Sequence, residues 1–213
     1  MPRQVCHGDA AERCHARDYA RRTTDRRRDL VRAAIRVFAR KGFHAARVGD
    51  IAEEAGVAHG LLYHYFKSKE DVLETIFRET WTRVVEATTA IEASGEPLVE
   101  QLRAFATFFL GTWTRTPSLA RVMVREVARS PQLGERVGVL RDALVSLRRM
   151  IEAAQERGEI RADVDAQLAT WAFYGALEEI LGGWVMGQLP GEEADVERAV
   201  ASVIDVFSVG FAP

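Results

Sequence analysis

Only 2 of the 213 residues are cysteine, and both, Cys6 and Cys14, fall at the start of the chain. A disulfide-stapled fold is thereby excluded, and free thiols are expected. Each cysteine is followed directly by a histidine (Cys6-His7 and Cys14-His15). Paired zinc ligands are usually two to four residues apart, so no metal site is expected. Lys69 is the last lysine and His64 the last histidine. Beyond residue 70 the chain therefore lacks the side chains for a His-based triad, a cysteine nucleophile or a Schiff-base lysine. Glu178-Glu179 is an acidic pair in an apolar stretch. Adjacent residues on a helix point about 100° apart, whereas acid–base work needs facing carboxylates, so ion pairing with arginines of neighbouring helices or of a partner chain is expected there instead. No enzymatic activity and no cofactor are expected. No run approaches the roughly 20 apolar residues of a membrane span, and the Arg-containing N-terminus lacks the apolar core of a secretory signal. The expectation is a soluble, cytoplasmic protein without a membrane partner.

Charge is present but unevenly spread. The net charge is −2, yet residues 1–69 carry 15 Lys+Arg against 8 Asp+Glu, and residues 70–213 carry 14 against 23. A basic third joined to an acidic two-thirds suggests that one end meets a polyanion. A charged tail that binds nothing is the alternative.

No stretch alternates apolar and polar residues over six or more positions, so strands are not expected. Helical periodicity dominates instead. Residues 1–22 are polar, Arg-rich and aperiodic, and read as a flexible basic arm. From Thr24, the positions Leu30, Ala33, Ala34, Val37 and Phe38 mark one helical face, which Gly42 ends. Two brief helices separated by Gly56 follow in VGDIAEEAGVAHGLLYHYF (48–66). Lys69 opens a longer helix that Gly95-Glu96-Pro97 breaks. Leu98, Leu102, Phe105, Phe109 and Trp113 mark the next, up to Thr116-Pro117. A shorter helix runs to about Arg129, and Ser130-Pro131 starts another with a stripe at Leu133, Val137, Leu140, Leu144, Leu147, Ile151 and Ala154. Residues 165–188 form a helix apolar on nearly every side, and 192–210 form the last. The expectation is an all-α chain of about nine helices: an arm (1–22), a helix-turn-helix headpiece (23–68) and a larger helical domain (69–213).

In the headpiece, Ile51, Val57, Leu62 and Phe66 point inward, and Ala52 permits a close crossing of two helices. Gly56 sits at the reversal between them, where a positive φ costs it no strain. His59, Gly60, Leu61 and His64 are left outward on a two-turn helix that can lie in a major groove. An ordinary helical hairpin is the competing reading.

The residues G-F-x-x-x-x-V-x-D-I-A-x-x-A-G-V-x-x-G-x-L-Y-x-Y-F-K-S-K-E-x-x-L (42–73) resemble the TetR/AcrR family of bacterial transcriptional regulators. The likeness covers about residues 25–75. It implies an all-α homodimer with a DNA-binding headpiece and a helical domain that binds a small effector. Carried over position by position, Tyr63, Tyr65 and Lys69 match residues that grip phosphates, and His59, Gly60, Leu61 and His64 match those facing bases. With Arg47, Val48, Gly49 and Lys67 these make up the expected DNA-contacting set. One departure stands out: Arg47 occupies the helix-start position where the family usually has Ser or Thr. Losing that cap costs about 1 kcal/mol, and a guanidinium offers a phosphate contact in return. Arg21, Arg22, Arg26, Arg27 and Arg28 either add sequence-independent affinity or stay solvated.

In the larger domain, Phe105, Phe108, Phe109, Trp113, Trp171, Phe173 and Tyr174, with Met123 and Met150, lie on helices that by resemblance surround the effector. Apolar residues at helical spacing are more often core than binding site, so both roles stay open. Arg121, Arg125 and Arg129 recur every four residues, either for a ligand's anionic head or for solvent and Glu partners. The segment ALEEILGGWVMGQLP (176–190) resembles the branch of the family that responds to fatty acyl-CoA, which implies release from the operator by a long-chain acyl-CoA. Small residues Ala172, Gly175, Ala176, Gly182 and Gly183 suit a close helix approach. With the family pattern they imply a dimer through helices 165–188 and 192–210 on a near-palindromic double-stranded operator. A helical small-molecule carrier without DNA binding is the alternative.

Overall fold

The structure, a computed structural model, describes residues 8–127 and 138–211, with side chains described for 24–126 and 140–211. Among the described residues every regular element is a helix. In order they are α1 (Gly8–Lys41), α2 (Val48–Glu54), α3 (His59–Tyr65), α4 (Lys69–Glu92) and α5 (Leu98–Leu110). Then come α6 (Thr112–Arg115), α7 (Pro117–Val127), α8 (Gly138–Glu156), α9 (Ala166–Val185) and α10 (Glu193–Phe211). Only α6 is a single turn, so the all-α expectation of about nine helices stands. The chain divides into two compact units, Met1–Leu73 and Glu74–Pro213.

Helix α1 corrects the reading of residues 1–22 as an aperiodic arm, because helix begins at Gly8. No glycine or proline interrupts residues 9–41, and Ala and Arg are strong helix formers, so the packed part of α1 propagates backwards without an apolar stripe. Gly42 ends it at φ +78°, its N–H donating to the Phe38 carbonyl at 2.8 Å. In the first unit Leu30, Ala33, Ala34, Val37 and Phe38 pack against Ile51, Ala52, Leu62 and Phe66, all buried. Val57 is only half-buried. Glu54 of α2 accepts from Arg36 (2.6 Å) and Arg40 (3.0 Å) of α1, which fixes how the two helices cross.

In the second unit the stretch 98–116, read as one helix, is two. At Gly111 the backbone turns from α5 into α6, and the Phe108 carbonyl accepts from the Arg115 guanidinium at 2.8 Å. Phe105, Phe173, Leu177, Leu147, Met150 and Ile204 form the core, with Phe173 edge-on to Phe207 at 5.2 Å. Cys6, His7, Arg129, Ser130, Pro131, Leu133 and Val137 lie outside the described residues.

Candidate nucleic-acid interface and effector cavity

The short helix α3 is held by one inward residue, Leu62, which is fully buried. His59, Gly60, Tyr63 and His64 are exposed, and Leu61 and Tyr65 are half-buried. Tyr63 is 54% exposed, unusual for a large aromatic side chain. The His59 and Tyr63 rings meet edge-on at 5.9 Å, one helical turn apart. Gly49 on α2 lies beside α3: a side-chain carbon there would meet the His59 ring at 3.4 Å, an ordinary contact. Gly56 makes the reversal at φ +64°. Of the expected outward set, His59, Gly60 and His64 are thus exposed on α3 and Leu61 is half-buried, with Lys67 exposed just beyond the helix.

Arg47 is the N-cap of α2 and its side chain makes no capping bond, because a guanidinium has no lone pair to offer. The cap is made in reverse: Asp50 accepts from the Arg47 N–H at 2.9 Å and, through its other oxygen, from the Lys41 ammonium at 2.7 Å. The Lys41 bond, then the Arg47 N–H, hold the Asp50 carboxyl below its usual range. The Arg47 guanidinium is exposed. Lys69 sits differently from the other cations, donating to the carbonyls of Phe43 (3.0 Å), His44 (3.1 Å) and Ala46 (3.1 Å). Arg27 lies over the Phe66 ring at 5.1 Å, so one arginine of the basic α1 is partly engaged with the core.

The second unit encloses a cavity of about 440 Å³ between α4, α5, α6, α7, α8 and α9, within the usual range of about 300–1,000 Å³ for small-molecule sites. Its walls are chiefly apolar. Trp81, Val84, Phe108, Phe109, Leu119, Met123, Val124, Leu140, Trp171, Tyr174 and Leu181 are joined by Thr80, Thr112, Thr116, Arg83, Arg115, Ala120 and Glu178. Of the expected effector residues, Phe108, Phe109, Met123, Trp171 and Tyr174 line it. Phe105, Trp113, Arg121, Arg125 and Met150 do not. Phe105 and Met150 are core residues behind the wall. Trp113 donates its indole N–H to the Gly191 carbonyl at 2.7 Å and stacks on Trp184. Arg121 is held over the Trp113 ring at 5.3 Å.

Glu178 opens to the cavity beside the Tyr174 hydroxyl, to which it is hydrogen-bonded. Loss of hydration pushes its carboxyl up, opposed by the Tyr174 bond, and Glu179 raises it further. The same desolvation, with Glu178 alongside, raises the Tyr174 phenol. The α4 residues Thr80, Trp81, Arg83 and Val84 and the pair Arg115 and Glu178 were missed, because a cavity is defined by which helices face each other and not by one helix's periodicity.

Family comparisons agree with both units. Residues 30–76 match the model described as bacterial regulatory proteins, tetR family, and residues 95–203 match the tetracyclin repressor-like C-terminal domain. The chain belongs to the TetR family. A fatty acid metabolism regulator protein of Bacillus subtilis is 28% identical over 183 residues, covering 85% of this chain and 93% of the relative. The repressor KstR2 of Rhodococcus jostii is 31% identical over 148 residues, 68% and 72% of the two chains. Among solved structures, the FadR regulator of B. subtilis in complex with stearoyl-CoA superposes with a TM-score of 0.76 at 27% identity, over 86% of this chain and 98% of that one. As a TetR-family chain it is a ligand-responsive, DNA-binding transcriptional repressor, and its relatives are regulators, not enzymes. No described helix is long and apolar enough to cross a membrane.

Proposed function

We propose that this TetR-family chain acts as a homodimer, binds a near-palindromic operator through α3, and is released from it by a long-chain acyl-CoA. The observation that carries the effector reading is the apolar cavity walled by α4–α9, taken with the relative whose structure holds stearoyl-CoA. A long acyl chain suits such walls, since each buried methylene contributes about 0.8 kcal/mol. Arg83 and Arg115, both exposed and both on the cavity's lining, supply cationic partners for phosphates at the end of such a ligand.

In the head, His59, Gly60, Leu61 and His64 face base edges, with the leucine suited to a thymine methyl. Arg47, Tyr63, Tyr65 and Lys67 donate to phosphates, while Val48 and Gly49 bring the start of α2 close to the backbone. Dimerisation is supported by uncovered apolar side chains on α9 and α10. Leu168 and Trp171 are 67% and 53% exposed, and Val206 and Val209 are 69% and 80% exposed. Gly175 and Gly182 have open space where a side chain would stand, which fits the approach of a second helix. Gly183 instead faces its own chain, where a side-chain carbon would lie 2.7 Å from the tip of the Leu189 side chain. The α3 heads of two chains then read half-sites about one turn of DNA, or a multiple, apart.

The test is a gel shift with duplex DNA flanking the protein's own gene, run with stearoyl-CoA, free stearate and coenzyme A alone. Release by stearoyl-CoA and not by coenzyme A supports the proposal. A retarded band indifferent to all three refutes the effector, and no retarded band at low salt refutes the operator reading.

A further inference from the structure

We propose that Lys69 is a positioning residue of the DNA-reading head: its ammonium fixes the turn between α1 and α2, and so the placement of Arg47 and α3, instead of gripping a phosphate. The inference rests on the reading that the head binds duplex DNA.

An ammonium has three hydrogens to donate and no acceptor. Here three carbonyls, those of Phe43, His44 and Ala46, surround Nζ at 3.0–3.1 Å. A phosphate reaching Lys69 must displace one of them. The ammonium also stands 4.7 Å from the centre of the Phe43 ring, a second attraction that keeps it turned inward. Its own helix does not explain this placement, because a cation at the first position of α4 opposes the helix dipole. The turn does. Its first carbonyls follow the end of α1, where unpaired oxygens and the negative end of the dipole gather. Ala46, the third partner, directly precedes Arg47, the N-cap of α2. Asp50 clamps the same turn from the other side, through Lys41 at 2.7 Å and the Arg47 N–H at 2.9 Å. The two cross-links converge on residues 41–47, the only covalent path by which α1 sets the start of α2.

Phosphate contact and positioning differ in salt dependence. A lysine that neutralises a phosphate contributes about 0.9 to the slope of log K against log salt; one that shapes the turn contributes none. They differ also in rescue by arginine, whose planar fork serves a phosphate well but cannot converge on three carbonyls around one point. Lys69→Met and Lys69→Arg are made in an Arg47→Ser background, so that a displaced Arg47 cannot itself lower the slope, and are titrated beside Arg47→Ser against a duplex shown to bind it, by fluorescence anisotropy across a range of salt. Both are expected to bind at least tenfold more weakly than Arg47→Ser with the slope unchanged. A slope lowered by about 0.9 per lysine, or undiminished affinity in Lys69→Arg, overturns the inference. So does undiminished affinity in Lys69→Met with only a lowered Tm, which makes Lys69 a stabiliser of the fold alone.

Asp50→Asn guards against a variant that fails to fold. It removes a negative charge, so electrostatics alone predicts tighter binding, whereas loss of the second clamp predicts weaker binding; tighter binding counts against the inference. A wild type that binds no duplex refutes the DNA reading instead, so the two failures are separate.

Discussion

Replacing Arg47 with serine should move stability and DNA binding in opposite directions. The α2 N-cap has an extended backbone and no side-chain acceptor for the first N–H groups of its helix. A serine hydroxyl supplies one, worth about 1 kcal/mol, which in a chain of this size raises Tm by roughly 2–4 °C. Binding should weaken, because the exposed guanidinium is lost from the DNA-facing side. One phosphate contact per chain, two per dimer, corresponds to a fall of about 1.8 in the slope of log K against log salt. Between about 50 and 200 mM salt that amounts to roughly a tenfold smaller loss of affinity than the wild type shows. Anisotropy titrations at several salt concentrations and a thermal melt read both quantities. An unchanged slope removes Arg47 from the interface, and a lowered Tm refutes the account of its cap.

Three other outcomes follow from the geometry. Val124→Phe, which fills the cavity, should abolish effector-dependent release while leaving DNA affinity within about twofold in a gel shift. Gly191→Ala would place a carbon 2.6 Å from the Trp113 indole nitrogen and break its bond to the Gly191 carbonyl; it should destabilise the chain by about 1–3 kcal/mol in denaturant unfolding. Asp50 and Glu54 are held below their ordinary values of 3.8 and 4.5, Asp50 by Lys41 and the Arg47 N–H, Glu54 by Arg36 and Arg40. A lowered folded pKa gives stability that is complete above the unfolded value and lost as pH falls through the folded one. Acidification below about pH 4 should therefore loosen the α1–α2 crossing, and hydrogen exchange resolved along the chain reads it.

Much of the head was legible because local chemistry fixes it. Gly42 and Gly56 both take the positive φ that their positions suggested, and Leu62 and Phe66 are buried as their spacing required. Lys69 was not legible: a cation beside a helix start looks like a phosphate ligand until the carbonyls of residues 43, 44 and 46 fold around it. The helix over residues 8–23 left no mark in the sequence, because helix propensity without an apolar stripe has no periodicity to show. In the second unit single-helix patterns located the core, but only half of the expected effector residues line the cavity. Phe105 and Phe109 occupy the same helical stripe and stack at 6.0 Å, yet Phe109 reaches the cavity and Phe105 stays behind it. That difference depends on what packs opposite, which one helix's sequence does not record.

The most direct test of the account is a nuclease footprint of the purified protein on the duplex upstream of its gene. Two protected half-sites related by two-fold symmetry, spaced by about one helical turn or a multiple and lost together in a His59→Ala, Tyr63→Ala double variant, are the predicted result. Protection that is absent at low salt, confined to a single unsymmetrical patch, or indifferent to those two residues contradicts it.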